Sequence, residues 1–145
     1  VKRIGIAAWM GVTLLGAQAA EHEVRMLSRS DTAEMVFEPA YLRVQRGDTV
    51  VFRTAQGGGH HARSVLVPAG AAHWHTSHDV TTRITLKTEG VYLYVCDPHL
   101  PMGMVGVLQV GRATNAAAAR EKALEIERGI VLNKGRLLSA VERVR

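Results

Sequence analysis

Val95-Cys96-Asp97-Pro98-His99-Leu100-Pro101-Met102-Gly103-Met104-Val105 contains the only cysteine of a 145-residue chain, a histidine three positions on, and two methionines just beyond. A thiolate, an imidazole and a thioether in one short loop are the donor types that select copper. Type 1 (blue) copper sites take two His and one Cys in a trigonal plane, with a long axial Met. The loop supplies all of these except one histidine. His60, in Gly58-Gly59-His60-His61, is the leading candidate for it. Two residues separate Cys96 from His99, so a single turn can aim both side chains at one point. Four residues separate His99 from Met104 and two separate it from Met102, so spacing leaves the axial donor open between the methionines.

The flanks frame the loop. Val91-Tyr92-Leu93-Tyr94-Val95 and Val105-Gly106-Val107-Leu108-Gln109-Val110 are β-branched and aromatic, which predicts a strand on either side. A lone Cys is more often a small buried hydrophobe, and methionines commonly fill core gaps. The pattern C-x2-H-x4-M between two strands, with Gly-Gly-His upstream, outweighs that reading for Cys96. Zinc is a weaker rival, because structural zinc favours more thiolates or a full set of four N/S donors. A Cys–His nucleophile would need a third residue to orient the base, and the sequence suggests none.

Outward from the loop, short apolar runs recur with Gly and Pro turns between them. Glu23–Leu27 reads as an edge strand. Met35-Val36-Phe37 and Tyr41–Val44 are separated by Pro39, and Arg46-Gly47-Asp48 turns into Thr49–Arg53. Thr82–Lys87 alternates, with Ile84 and Leu86 on the core face. Short strands at this spacing predict an all-β, two-sheet sandwich over residues 20–111. From Gly111 the composition changes. Thr114 or Asn115 can cap a helix over Ala116–Arg128, Gly129 can stop it, and Leu137, Leu138, Val141 and Val144 form a stripe on a second helix. Residues 112–145 are therefore expected to be a helical extension packed on the sandwich.

Residues 1–19 read as an export signal: Lys2-Arg3, an apolar run from Ile4 to Leu15, then Ala17-Gln18-Ala19 as a cleavage site. The run is too short and too interrupted by glycine for a membrane anchor. Val1 in first position is what a non-AUG start read literally, or a clipped start, would give. The mature chain is expected to begin at Ala20, in the periplasm, where an odd cysteine is a liability unless a metal occupies it. The formal charge of +5 divides into +2 on the signal, −1 on residues 20–111 and +4 on residues 112–145. The excess belongs to the tail, and with no aromatic–basic interleaving it does not indicate nucleic-acid binding. His73-Trp74-His75-Thr76-Ser77-His78 could hold a second zinc or copper ion weakly, but such a run is more often a solvated surface.

The whole exported stretch resembles the pseudoazurins, small type 1 copper proteins of bacterial periplasms. The resemblance rests on Val95–His99 with Met102–Val107, and on Met35–Ala40, Arg46–Val50, Gly59-His60 and Pro68–Ala71 in the family's order, followed by two helical segments. It implies a Greek-key cupredoxin sandwich with two short C-terminal helices. It implies one copper ion held by His60, Cys96, His99 and Met104, with Met104 rather than Met102 axial. His61 stands where the family usually carries Asn, whose backbone N–H donates to the cysteine sulfur and whose side chain ties the two loops together. The family docks acidic partners through a ring of lysines; here such a ring could be built only from arginines such as Arg43, Arg46, Arg63 and Arg83. The implied function is one-electron transfer by a monomeric periplasmic carrier that is not an enzyme and does not insert in a membrane. The implied partners are denitrification enzymes, copper nitrite reductase above all and nitrous oxide reductase second. The alternative is a copper-binding or copper-delivery protein.

Overall fold

The computed structural model describes residues 18–145. The expected export signal therefore lies, but for its last two residues, outside the described part. Eight strands form two four-stranded sheets. One sheet has the order β2-β1-β4-β6, from Glu34–Glu38, Glu21–Arg29, Thr49–Thr54 and Thr82–Thr85. The other has the order β3-β8-β7-β5, from Tyr41–Val44, Val105–Val110, Gly90–Val95 and Arg63–Leu66. Two helices follow, α1 (Ala116–Glu127) and α2 (Arg136–Val141). This is the cupredoxin sandwich with short C-terminal helices.

Strands β7 and β8 are buried at every position, and strand parity explains why. Side chains alternate across a sheet, so a strand is continuously apolar only when both faces are covered. Tyr92, Tyr94, Leu108 and Val110 face the sandwich core with Val24, Met26, Phe37, Val50 and Phe52. Val91, Leu93, Val95, Val105 and Val107 face the other way, against Ala119, Ala123, Leu137, Ala140 and Val141 of the helices. By the same parity Cys96, just past the end of β7, falls on the sandwich side. Tyr94 stacks edge-on against Phe37 and Phe52 at 4.8 and 5.1 Å between ring centres. Its partner in the register is Gly106, where a Cβ would sit 2.2 Å from the Tyr94 ring. Only a residue without a side chain fits opposite that tyrosine.

Several local expectations are corrected. β1 is interior, not an edge: it pairs antiparallel with β2 and parallel with β4. Asn115 occupies the cap position of α1, but its side chain makes no capping bond. Instead its amide accepts from Val91 N–H at 2.7 Å and donates to Val91 O at 2.9 Å, fastening the helix start to β7. Helix α1 itself agrees with expectation to within one residue, running Ala116–Glu127 with Arg128 as its C-cap directly before Gly129. Outside the named elements, residues 73–78 run as a loop joined to β5 by one bridge, between Arg63 and His75.

At the end of the sandwich away from Cys96, Asp48 closes the turn into β4. Only 4% exposed, its carboxylate accepts from Ala20 N–H (2.8 Å), Gln45 N–H (2.9 Å) and His22 Nε2 (2.8 Å). The Ala20 and then the Gln45 N–H hold its pKa below the ordinary aspartate range. A carboxylate whose folded pKa is depressed stabilises fully above its unfolded pKa, about 4, and loses that contribution as pH falls through the folded value. Asp48→Asn is expected to lower stability by about 1–3 kcal/mol at neutral pH. Below pH 4 the difference from the parent should shrink; denaturant titrations at pH 7 and at pH 3 check both parts.

Candidate metal centre

The 3-10 turn Asp97–Met102 joins β7 to β8 and carries the central donors. Its backbone is closed on itself. His99 N–H donates to Cys96 O (3.0 Å), Met104 N–H to His99 O (3.2 Å) and Cys96 N–H to Met104 O (3.0 Å). Gly103, in the left-handed region at φ 77°, reverses the chain between the two methionines. Met104 is consequently buried in the sandwich core cluster with Cys96, whereas Met102 is 38% exposed.

His60 comes from the β4–β5 connection, which crosses from one sheet to the other. Gly57–Gly59 folds around Asp79, whose carboxylate accepts from Gly59 N–H (2.8 Å) and His60 N–H (3.0 Å), while Asp79 N–H donates to His60 O (2.7 Å). These N–H groups depress the Asp79 pKa, so the carboxylate stays ionised and the turn stays tied. Gly58 is required by close approach to this histidine: a Cβ there would lie 2.7 Å from Ser28 Oγ and 2.9 Å from His60 Nε2. Of the three glycines only Gly58 makes such a close approach; a Cβ at Gly57 or Gly59 would meet nothing within 4 Å.

Ser28 meets the outer nitrogen of His60. Its hydroxyl lies 2.8 Å from His60 Nε2 and 3.3 Å from Gly57 O; with the hydroxyl proton on Gly57 O, the oxygen accepts from Nε2–H. A proton on Nε2 leaves the lone pair on Nδ1, the arrangement that a metal-ligating histidine needs. That Nδ1 lies 3.2 Å from His99 Nδ1, which is 3.4 Å from Cys96 Sγ. The donor atoms of His60, Cys96 and His99 all fall within 4.8 Å of one another, and no other such group occurs among the described residues. Burial, then the charge of His99, lowers the His60 pKa and keeps its imidazole neutral. Burial raises the Cys96 thiol, against which the backbone N–H groups of His61 and His99 favour the thiolate. Two imidazole nitrogens and one sulfur in a largely buried corner, with a thioether in the same core cluster as the sulfur, are the donors of a type 1 copper ion.

The comparisons with known proteins agree. Residues 24–111 match the model of the copper binding proteins of the plastocyanin/azurin family. The pseudoazurin of Methylorubrum extorquens is 35% identical over 111 residues, 74% of each chain. The chain belongs to the pseudoazurins. The pseudoazurin of Paracoccus pantotrophus is 38% identical over 96 residues, 66% of each chain. The crystal structure of Hyphomicrobium denitrificans pseudoazurin superposes with a TM-score of 0.77 at 33% identity, over 86% of this chain and 98% of that one.

Within that family frame the remaining candidates separate. His73, His75 and His78 are exposed and take no part in the donor cluster. His73 bonds to Ser64, and His78 stacks on His61 at 4.3 Å between ring centres. Arg63 pairs with Asp97 beside the metal loop, but the other three arginines do not gather there. Arg43 lies opposite Gln109, Arg46 acts on Glu89 at the far end of β7, and Arg83 pairs with Glu21. The four form no ring around His99. Ser28 and Asp79 were not legible as site residues, since both act through contacts distant in sequence.

His61 is buried, and its Nε2 lies 3.1 Å from both Asp97 N–H and an Asp97 carboxylate oxygen. Burial, then His78, pushes its pKa down, so the neutral ring accepts the Asp97 N–H and the carboxylate contact is no ion pair. Imidazole thus ties the two loops where the family's Asn would. His61→Ala should lower stability by about 1–3 kcal/mol, leaving Asp97 N–H unpaired and a void under His78. His61→Asn should recover more than half of that loss. Guanidinium unfolding of the three proteins checks this, and equal losses in both variants would refute the tie.

Proposed function

We propose that this protein is a periplasmic one-electron carrier in which His60, Cys96, His99 and Met104 would hold a type 1 copper ion. The observation that carries the reading is the convergence of His60 Nδ1, Cys96 Sγ and His99 Nδ1, with the outer face of His60 locked by Ser28. Copper bound there supplies a Cu(II)/Cu(I) couple.

The chain's own contributions follow from the geometry. The His60 and Cys96 side chains are fully buried, on elements fixed by backbone bonds, so the donor positions change little between oxidation states. A thioether from Met104 favours the softer Cu(I). Of the three clustered donors His99 alone is partly exposed, and the residues that follow it, Leu100, Pro101 and Met102, are apolar and half-exposed or exposed, so they would offer an apolar exit for electrons. Brief redox encounters need only a small patch of this kind, with charge steering the approach. The four-donor set leaves no position for a substrate, which supports a carrier over an enzyme. The family supports copper nitrite reductase as the partner, with nitrous oxide reductase second, and a monomeric carrier. Among the described residues no helix is long and apolar enough to cross a membrane.

The rival reading, copper delivery, would need an exposed, labile site. Voltammetry of the copper-loaded protein in the presence of a competing chelator separates the two. A reversible couple with the metal retained supports the carrier, and rapid transfer to the chelator supports delivery. Pro98 offers a finer test. Without an N–H, it cannot donate to the Cys96 sulfur, and such donation would favour Cu(I). Pro98→Ala should therefore raise the reduction potential, by on the order of 1 kcal/mol of added preference for Cu(I); an unchanged or lower potential contradicts the role assigned to Pro98.

A further inference from the structure

The carbonyls of the metal loop divide into two sets. Those of Cys96, His99 and Leu100 are satisfied within the loop, by His99, Met104 and Gly103 N–H. Those of Pro101, Met102 and Gly103, the arm leading to Met104, are satisfied from the C-terminal segment. Pro101 O accepts from Val131 N–H (2.8 Å) and Leu132 N–H (2.9 Å). Met102 O accepts from the Asn133 side-chain amide (2.9 Å) and Gly103 O from Arg136 Nη1 (2.9 Å). The same Arg136 nitrogen reaches Met35 O (2.8 Å) and Glu34 O (3.3 Å) on β2. One half-buried cation thus clamps the Met104 arm to the first sheet.

The clamp is itself anchored. Glu127, the last residue of α1, accepts from Gly135 N–H (2.9 Å) and Leu137 N–H (3.1 Å), which sets the start of α2 and the root of Arg136. Gly103 lies close beneath the segment: a Cβ there would sit 3.0 Å from Leu132 O, a tight contact, and its φ of 77° further favours glycine.

We propose that residues 131–136 are a brace for the metal loop and that Arg136 is a positioning residue, fixing the backbone from which Met104 projects. The effect on copper rests on Met104 being the axial donor; the effect on the loop does not. Arg is suited to the post because its charged donor strengthens bonds to carbonyls that water would otherwise contest.

Amide hydrogen exchange of the metal-free protein, with Arg136→Leu and Arg136→Lys, tests the brace. Arg136→Leu should speed exchange of the Gly103 and Met104 amides roughly tenfold while leaving Leu93 in β7 unchanged. Because a single nitrogen makes all three bonds, Arg136→Lys should restore part of the protection. After loading with Cu(II), Arg136→Leu should change the relative intensities of the thiolate-to-copper bands, and Arg136→Lys should return them toward the parent. Exchange unchanged at Gly103 and Met104, or raised equally through β7, overturns the proposal. If the parent protein itself shows no thiolate-to-copper band, the copper reading falls, and the exchange result still judges the brace.

Discussion

Two imidazole nitrogens and a sulfur meet within 4.8 Å in a corner that solvent reaches only at His99. Polar atoms buried together without partners are costly, and groups that titrate resist burial in their charged forms. Much of the surrounding structure answers that constraint. Ser28 satisfies the outer nitrogen of His60, Asp79 gathers the backbone of the glycine turn, and His61 accepts the N–H of the residue after Cys96. What is left toward the centre is two ring nitrogens and a sulfur, and a soft cation is the partner that such a donor set can take.

The fold holds this corner by using one pair of strands twice. β7 and β8 give one face to the sandwich and the other to the helices, so the loop between them emerges from two strands buried at every position. The sheet side fixes Cys96 and Met104 through core packing. The helix side fixes the same loop through the carbonyls of Pro101, Met102 and Gly103. Helices that look like an appendage in the chain order are thereby part of the site's support. His99, between these two anchorages, is the donor left near solvent, where an electron can pass.

Much of this was legible in the sequence, for reasons that can be named. Continuous β-branched runs on both sides of Cys96 announced two buried strands, and the spacing of Cys96, His99 and Met104 is set by one short loop, so local reading sufficed. The choice of Met104 over Met102 came from family resemblance alone, and the burial of one methionine and exposure of the other favour it. β1 was misread as an edge because its alternation reports which face is buried and says nothing of its neighbours. Asn115 was misread as a cap because local spacing could not reveal its bonds to Val91, 24 residues away. The arginine ring failed similarly: four residues scattered in sequence carried no information about which end of the sandwich each occupies. Ser28 and Asp79 escaped notice because a serine and an aspartate in loops or strand ends have no signature until the histidine they serve is placed in space.

The measurement that bears most directly on the central claim is a Cu(II) titration of residues 20–145, followed by visible absorption and EPR, beside the same titration of Cys96→Ser. A one-to-one intense thiolate-to-copper band, bleached by reductant and abolished in Cys96→Ser, is the predicted result. A pale, ordinary Cu(II) signal that survives loss of Cys96 would mean the metal sits on other histidines, and would contradict the carrier reading.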